Sequence, residues 1–282
     1  MRRVRRVKGT PVRTPEQLRE HYEIEKELGD RLRRARRDER AAMYSQVYDE
    51  LFRRVPKHPQ LTEQNTAAHE LRVQALLRLL RPYLTPDTIF MEMGAGDCAL
   101  PRVVAPLVRR AYGLEVSEEL TSKLPKSDKF EVLISKNCDV PLPDNTVDLA
   151  FSYQVIEHIH PEDVVEQLKQ IYRVLKAGGC YYCITPNRLY GPNDISRDFD
   201  REATGLHLKE YSNTDLLKLF RSVGFREIWI ERRIKGHHVA VPILPVRLME
   251  GAFECLPWRL RTPLSRSFVG RWLLSVSLMG RK

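Results

Sequence analysis

Between residues 14 and 54 apolar side chains recur at helical spacing: Leu18, Tyr22, Ile24, Leu28 and Leu32, then Met43, Val47 and Leu51. This pattern predicts two amphipathic helices broken near residues 37–41. Pro56 and Pro59 bound a link, and a further helix over about 66–81 carries Ala68, Leu71, Ala75 and Leu79 on one face before Pro82 stops it. From residue 87 the period changes. Short apolar runs at 88–92, 111–116, 130–135, 147–153 and 179–185 alternate with helical stretches. The clearest of those helices starts at Pro161 with Glu162 and Asp163 in its first turn. It places Val164, Leu168, Ile171 and Leu175 on one face, and Gly178-Gly179 is its expected end. An antiparallel pair closes the chain, over 226–234 and 273–279. Strand–helix–strand alternation of this kind predicts an α/β fold, a mostly parallel sheet with helices on both faces. Ligands in such folds sit at the carboxyl ends of the strands, where strand order reverses.

The chain has 282 residues and is 42% apolar, enough for a sizeable core, which excludes a disordered chain or a small disulfide-stapled scaffold. No run reaches the roughly 18 apolar residues of a membrane span. The first eight residues lack the apolar stretch of a secretory signal, and acidic residues from Glu16 to Glu27 argue against a transit peptide, so a cytoplasmic protein is expected. Cys180 and Cys183 invite a redox or zinc reading. In a strand, however, positions i and i+3 face opposite sides, and no second cysteine pair completes a zinc site. Charge is uneven: residues 1–40 carry +6 and 226–282 carry +7, while 41–225 carry −3. Basic ends on a near-neutral body suit either an anionic partner or surface, or plain solvation.

The candidate chemistry lies at the strand ends. The first strand runs into Glu92-Met-Gly94-Ala-Gly96-Asp97, where two glycines allow a tight turn and close approach of a ligand. Ala99 stands where a dinucleotide fingerprint would have its third glycine, and Glu92 would sit poorly beside a pyrophosphate. A carboxylate there suits a cationic ligand. Glu115 ends the second strand, where it can accept both hydroxyls of a ribose. Asp139 follows the third, placed to accept from an adenine amine. Asp148 opens the fourth strand, and Leu175-Lys-Ala-Gly-Gly179 leads into the fifth.

Taken together, Glu92-x-Gly94-x-Gly96, Glu115, Asp139 with Pro143-Asp144 and Asp148, and Leu175-Lys-x-Gly-Gly179 resemble the class I S-adenosylmethionine-dependent methyltransferases, over roughly residues 66–235. The resemblance, close to the ubiquinone-biosynthesis O-methyltransferases, implies a Rossmann-like, seven-stranded sheet and S-adenosylmethionine as cofactor. It implies that Gly94 and Gly96 cradle the methionine part and that Glu92 or Asp97 sits near its amino group. Glu115 would hold the ribose, Asp139 would meet the adenine, and Val140, Tyr153 and Gln154 would line the pocket.

Methyl transfer is an in-line displacement in which the protein chiefly positions donor and acceptor, and an oxygen acceptor must also lose a proton. If the segment after the fourth strand starts a helical turn, Gln154, Glu157 and His158 share a face. His207 is their distant partner, on a loop before a helix capped by Ser212 and Asp215. Glu157, His158 and His207 are therefore the candidate catalytic residues, with His158 as general base or acceptor-positioning group. In the ubiquinone-pathway enzymes and the small-RNA 2′-O-methyltransferases a Glu-x-x-Glu-His at this place binds a divalent metal. Here the first Glu is Gln154, a weaker ligand for a hard cation. Glu157, His158 and His207 could still suit a transition metal, and in many related enzymes the same Glu-His only orders the loop.

Residues 1–60 are expected as a basic helical extension packed over the cofactor, and 61–282 as the methyltransferase domain. That domain would include a lid or acceptor loop at about 186–206, bearing Arg197 and Arg201, and a helical insertion at about 236–270 before the last strand. In the insertion Trp258, Arg259, Arg261, Arg266, Arg271 and Trp272 mix aromatic and basic groups. The mixture suits a membrane surface, nucleic acid or an anionic glycan, or simply an amphipathic cover for the sheet edge. The expected reaction is O-methylation of a small-molecule or glycan-like acceptor. An RNA 2′-O-methyltransferase and a non-catalytic, cofactor-binding partner subunit are the alternatives.

Overall fold

A computed structural model describes residues 13–62, 66–117, 121, 124, 127–135, 138–234 and 237–282. The basic start over 1–8 lies outside them. Within the apolar runs that predicted strands, successive side chains sort between two faces. Met91, Met93, Ala150, Tyr181 and Cys183 enter one apolar cluster, while Phe90, Leu149, Phe151 and Tyr182 enter another on the opposite face. Cys183 and Cys180 accordingly fall on opposite faces, and both are free thiols.

The strands are β1 (Ile89–Met93), β2 (Arg110–Glu115), β3 (Phe130–Ile134), β4 (Val147–Tyr153), β5 (Leu175–Thr185), β6 (Glu227–Ile234), β7 (His237–Val241) and β8 (Val276–Arg281). They form one mixed sheet in the order β3-β2-β1-β4-β5-β8-β6-β7. Strands β1 to β5 are parallel, while β8 runs antiparallel between β5 and β6. Strand order reverses between β1 and β4, so the ends of those two strands open the crevice where a ligand can sit. Among the described residues the sheet has eight strands, not seven. The extra one is β7, which pairs antiparallel with β6 at the edge and was read as part of the insertion.

Helices α1 (Pro15–Arg34) and α2 (Arg37–Arg54) break at residues 35 and 36, slightly earlier than predicted. A short helix, α3 (Pro59–Thr62), precedes α4 (Ala67–Leu80), and α5 (Ala99–Val104) follows the glycine turn. Helices α4 and α5 cover one face through Leu80, Leu100 and Val104. The other face is covered by α6 (Pro161–Val174) and α7 (Asn213–Val223), through Leu168, Ile171, Leu216 and Phe220. The insertion consists of α8 (Ile243–Glu254), α9 (Trp258–Arg266) and α10 (Phe268–Leu274).

Helix α6 ends at Val174 rather than at the glycines. Its last carbonyls are already satisfied, Arg173 O by the Asn145 amide (3.1 Å) and Val174 O by the Thr146 amide (2.8 Å). The chain therefore turns directly into β5, and Gly178 (φ +80°) lies where the register against β4 shifts.

The helical extension is fastened to the sheet by a buried ion pair. Arg40 of α2 donates to both oxygens of Asp163 in the first turn of α6 (2.7 and 3.0 Å), and also to Glu162 (2.6 Å) and Ala35 O (2.7 Å). The Tyr44 hydroxyl donates to Asp163 (2.8 Å) and accepts from the His160 amide (3.0 Å). Truncating one side leaves the other charge buried and alone. Asp163→Ala is therefore expected to lower unfolding stability by about 3–5 kcal/mol. Urea unfolding followed by far-ultraviolet circular dichroism checks this, and a loss below about 1 kcal/mol would mean the pair is no fastening.

Candidate functional site

At the switch point lies a cavity of about 890 Å³, including its open mouth. Its floor comes from strand ends: Met93, Gly94 and Gly96 after β1, Leu114 and Glu115 of β2 with Val116 and Ser117, Ser135 and Cys138 after β3, and Gln154, Val155 and His158 after β4. Tyr44, Tyr48 and Phe52 of α2 form its roof. Sequence reasoning placed the extension over the site but did not single out these three. Their spacing of four, one aromatic per helical turn, was the available signal.

Both glycines of the turn have left-handed backbone, φ +61° at Gly94 and +54° at Gly96. A Cβ on Gly94 would lie 2.5 Å from Val155 Cγ2, whereas the space beside Gly96 is open. The Gly96 amide donates to Glu115 Oε2 (2.7 Å), and the Val116 and Ser117 amides donate to Oε1 (2.8 and 3.3 Å). A carboxylate has about four acceptor positions, so Glu115 retains room for one further donor rather than the two expected. Ser117 in turn donates to Asp49 of α2 (2.8 Å), a second tie between roof and floor.

Glu92 is buried on β1, and its Oε2 has no hydrogen-bond partner. Burial, then the charges of Asp97 and Glu115, push its carboxyl well above the usual range. Asp97 accepts from the Ala99 amide (3.2 Å) and lies 3.0 Å from His69 Nε2. Of these three carboxyl groups around the glycine turn only Glu115 lines the cavity, and Glu92 and Asp97 stand outside its wall; together they bias the turn toward a cation.

Other expected residues stand elsewhere. Among the described residues Asp139 is exposed and outside the cavity wall, where Ser135 and Cys138 stand instead. The Ser135 hydroxyl holds the Asp139 carbonyl (2.7 Å), which fixes the backbone there. Val140 is in the core and Tyr153 packs against the opposite cluster, so neither lines the cavity. Gln154 does line it, but with φ +58° it cannot start a helical turn. The short 3-10 turn covers only Ile156–His158, and the predicted shared face of Gln154 with Glu157 and His158 does not form.

Glu157, His158 and His207 are brought together, one ligand atom of each within 4.8 Å of the others. The two imidazoles meet edge to face at 4.7 Å between centroids. His158 Nδ1 faces Leu206 O (3.1 Å) and His207 Nδ1 faces Glu210 Oε1 (2.8 Å). A carbonyl and a carboxylate only accept, so both rings carry their proton on Nδ1 and turn Nε2 to other uses. Glu157 Oε2 accepts from the Thr185 hydroxyl (2.8 Å), while its buried Oε1 has no partner. Burial holds the Glu157 carboxyl at about 7, and burial with the charge of His207 pushes His158 down to about 3. For His207 burial lowers the value, but Glu210 and Glu157 together raise it.

A second cluster, His21, Glu25 and His58, has the same composition and similar spacing. Its chemistry differs because Arg13 Nη1 lies 2.6 Å from His21 Nδ1. A guanidinium only donates, so His21 carries its proton on Nε2 and gives it to Glu25 Oε1 (2.7 Å). That nitrogen has no lone pair for a metal, and the cluster is a satisfied internal network.

The loop of 186–206 is tied down. The Arg33 guanidinium donates to the carbonyls of Thr204, Gly205 and His207 (3.1, 2.8 and 3.1 Å), and the Tyr22 ring stacks on Phe199 at 4.4 Å. Arg197 pairs with Asp198 (3.8 Å), and Arg201 lies 4.8 Å over the Trp258 ring.

Residues 91–183 match the methyltransferase domain family. The chain is 28% identical over 136 residues to a probable S-adenosylmethionine-dependent methyltransferase of Mycolicibacterium smegmatis, covering 48% of this chain and 51% of that one. It spans about half the length of the curated relatives it matches. In fold it resembles a SAM-dependent methyltransferase from Archaeoglobus fulgidus (TM-score 0.51, 18% identity, 75% of this chain and 94% of that one). It also resembles the [4+2]-cyclase SpnF (TM-score 0.55, 19% identity, 86% and 96%).

Because the folded carboxyl of Glu157 lies above its unfolded value of 4.5, its contribution favours folding below that value and is lost as pH rises through about 7. Glu157→Gln carries no such charge. In chelator-treated protein its stability relative to the natural chain is expected to rise by about 2–3 kcal/mol from pH 5 to pH 8. A pH-independent difference in urea unfolding would contradict the assignment.

Proposed function

We propose that this chain is a class I S-adenosylmethionine-dependent methyltransferase, as the family match over residues 91–183 and its curated relatives support, and that it transfers a methyl group to a hydroxyl of a small-molecule or glycan-like acceptor. The observation that carries the reading is the single cavity running from the Gly94-x-Gly96 turn past Glu115 to His158 under an aromatic roof. Its aromatic roof over the strand ends suits a bound cofactor and a small acceptor rather than a polymer lying across the surface.

The residues fit the cofactor. Glu92 Oε2, buried and without a partner, is suited to take an ammonium and to ionise as it does so. Glu115 offers its remaining acceptor position to a ribose hydroxyl. The open space beside Gly96 lets a ligand approach the backbone. When bound, S-adenosylmethionine supplies a methyl carbon already activated by its sulfonium. The protein's part is alignment, and Tyr44, Tyr48 and Phe52 exclude water from above. Neutral His158 offers its Nε2 lone pair to orient the acceptor hydroxyl, and the one proton released on transfer passes to the adjoining Glu157 carboxylate, whose value burial holds at about 7.

A second reading of the same three residues has its own support. Metal-binding histidines usually donate their other N–H to a carboxylate or a carbonyl, as His207 and His158 do here. With the free Glu157 Oε1, they form a two-histidine, one-carboxylate set suited to a divalent transition cation that would acidify the acceptor hydroxyl.

S-adenosylhomocysteine release from purified protein, with small RNA or with a pool of phenols and sugars as acceptor, tests the proposal. Turnover of the small-acceptor pool is expected. His158→Ala and His207→Ala should each lose about 10²–10⁴-fold in rate while cofactor affinity is kept. Product from RNA alone would overturn the acceptor assignment. Unimpaired turnover in both variants would remove these residues from the reaction. Loss of activity with chelator, restored by added cation, selects the metal reading, and indifference to chelator selects the base. Calorimetry in two buffers should show cofactor binding releasing a proton from Glu92, so that affinity rises with pH.

A further inference from the structure

Among the described residues, eight of the nine exposed large apolar side chains fall between Leu244 and Trp272. Helix α8 is apolar on both sides. Ile243, Val246 and Met249 pack on the core beside the buried carboxylate of Glu250, and its outward face carries Leu244 and Leu248, the latter 69% exposed. Glu250 takes hydrogen bonds from the amides and side chains of Asn213 and Thr214 and from Asn187 Nδ2, all at 2.7–2.9 Å. The inward face is thus fully engaged, by apolar packing and by the Glu250 anchor, and the outward leucines are surplus to it and left in water. Phe268 (87% exposed) and Val269 (61%) begin α10, with Trp272 one turn later. A segment that only covered a sheet edge would turn these side chains inward.

The charge around this apolar surface has one sign. Residues 243–274 carry five arginines against Glu250 and Glu254. Glu250 is buried, and Glu254 is paired with Arg188. Arg247, Arg259 and Arg271 are exposed beside the leucines and aromatics. The geometry points to the α8–α10 insertion as a docking surface for an anionic lipid bilayer. The apolar side chains enter the acyl boundary, and the arginines meet the headgroup phosphates. Aliphatic exposure on this scale separates the surface from one built for nucleic acid, where bases stack on aromatic rings and leucine and valine contribute little. The insertion also grips the long loop after β5. Arg266 donates to the carbonyls of Tyr190 and Gly191 (3.0 and 2.8 Å), in the loop that leads to His207.

Vesicle sedimentation of the full chain tests this without cofactor or acceptor, so the result is independent of the transfer reaction. Phosphatidylcholine vesicles are compared with vesicles containing about 30 mol% phosphatidylglycerol. The expected result is partition onto the anionic vesicles only, weakened by salt. It should drop about tenfold or more in Phe268→Ser/Val269→Ser and in Arg247→Gln/Arg259→Gln. Thermal unfolding of these surface variants should match the natural chain. No partition onto anionic vesicles would overturn the proposal, as would partition unchanged in both variants. A dimer lost in the Phe268/Val269 variant without vesicle binding would reassign the surface to a second copy of the chain. Binding of an RNA oligomer in place of vesicles would reassign it to nucleic acid.

Discussion

The buried pairing of Arg40 with Asp163 is the constraint on which the site's shape depends. Asp163 lies in the first turn of α6, directly after the strand-end turn that carries His158. Arg40 lies one turn before Tyr44 on the helix that roofs the cavity. One bidentate contact therefore sets the height of the roof above the floor, and Tyr44 repeats it by bonding both Asp163 and the His160 amide. The energetic logic is that of a lock more than a glue. Removing both charges from water is costly, and the return comes only when guanidinium and carboxylate meet in the planar geometry seen here. Ser117 with Asp49 ties the same helix to the end of β2, so the roof is held against both halves of the strand-end floor.

Two clusters of two histidines and a glutamate, built from the same residue types, show that composition does not decide what such a group can do. Behind His158 and His207 stand acceptors, a carbonyl and a carboxylate, so the outer nitrogens are protonated and the inner ones are available. Behind His21 stands an arginine, so the arrangement is reversed and the inner proton is already given to Glu25. Burial pulls the Glu25 carboxyl up, but the hydrogen bond from His21 and the nearby His58 imidazole, 3.8 Å away, hold it well below the usual range. Glu157, with one oxygen unserved, is held high. The His21–Glu25–His58 cluster is closed, and the Glu157–His158–His207 cluster retains capacity for a proton or a cation.

Much of this architecture was legible in the chain. Short apolar runs placed the five parallel strands to within a few residues, because strands covered by helices read as apolar runs bounded by turn residues. The glycine turn and Glu115 could be read because only certain residues tolerate left-handed backbone or end a strand facing a ligand. Other features depended on contacts distant in sequence. Gly178-Gly179 resembles a helix end, yet carbonyls served by Asn145 and Thr146 had already ended the helix at Val174. The helical face expected of Gln154, Glu157 and His158 failed because Gln154 adopts left-handed backbone, with its amide bonded to Ile184 O (2.8 Å). His207 could be suspected from its capped neighbour helix, but its partnership with Glu157 depends on how the loop folds back.

That loop links the protein's separate parts. Arg33 of the extension holds its far end through three carbonyls, and Arg266 of the insertion holds its near end through two. Between those grips Asp194 accepts from the Gly205 amide (2.9 Å), and Asn193 donates to Glu210, the carboxylate behind His207. A shift of the insertion would therefore reach His207 through Tyr190, Gly191, Asn193 and Glu210, a path of backbone and carboxylate contacts rather than flexible side chains. In the same way, a shift of α1 would reach it through Arg33. The imidazole is fixed from both sides, by the extension that closes the cavity and by the insertion whose outer face is apolar and basic. The insertion's grip at Tyr190 and Gly191 thus falls on the same chain segment that runs on to Glu210 and His207.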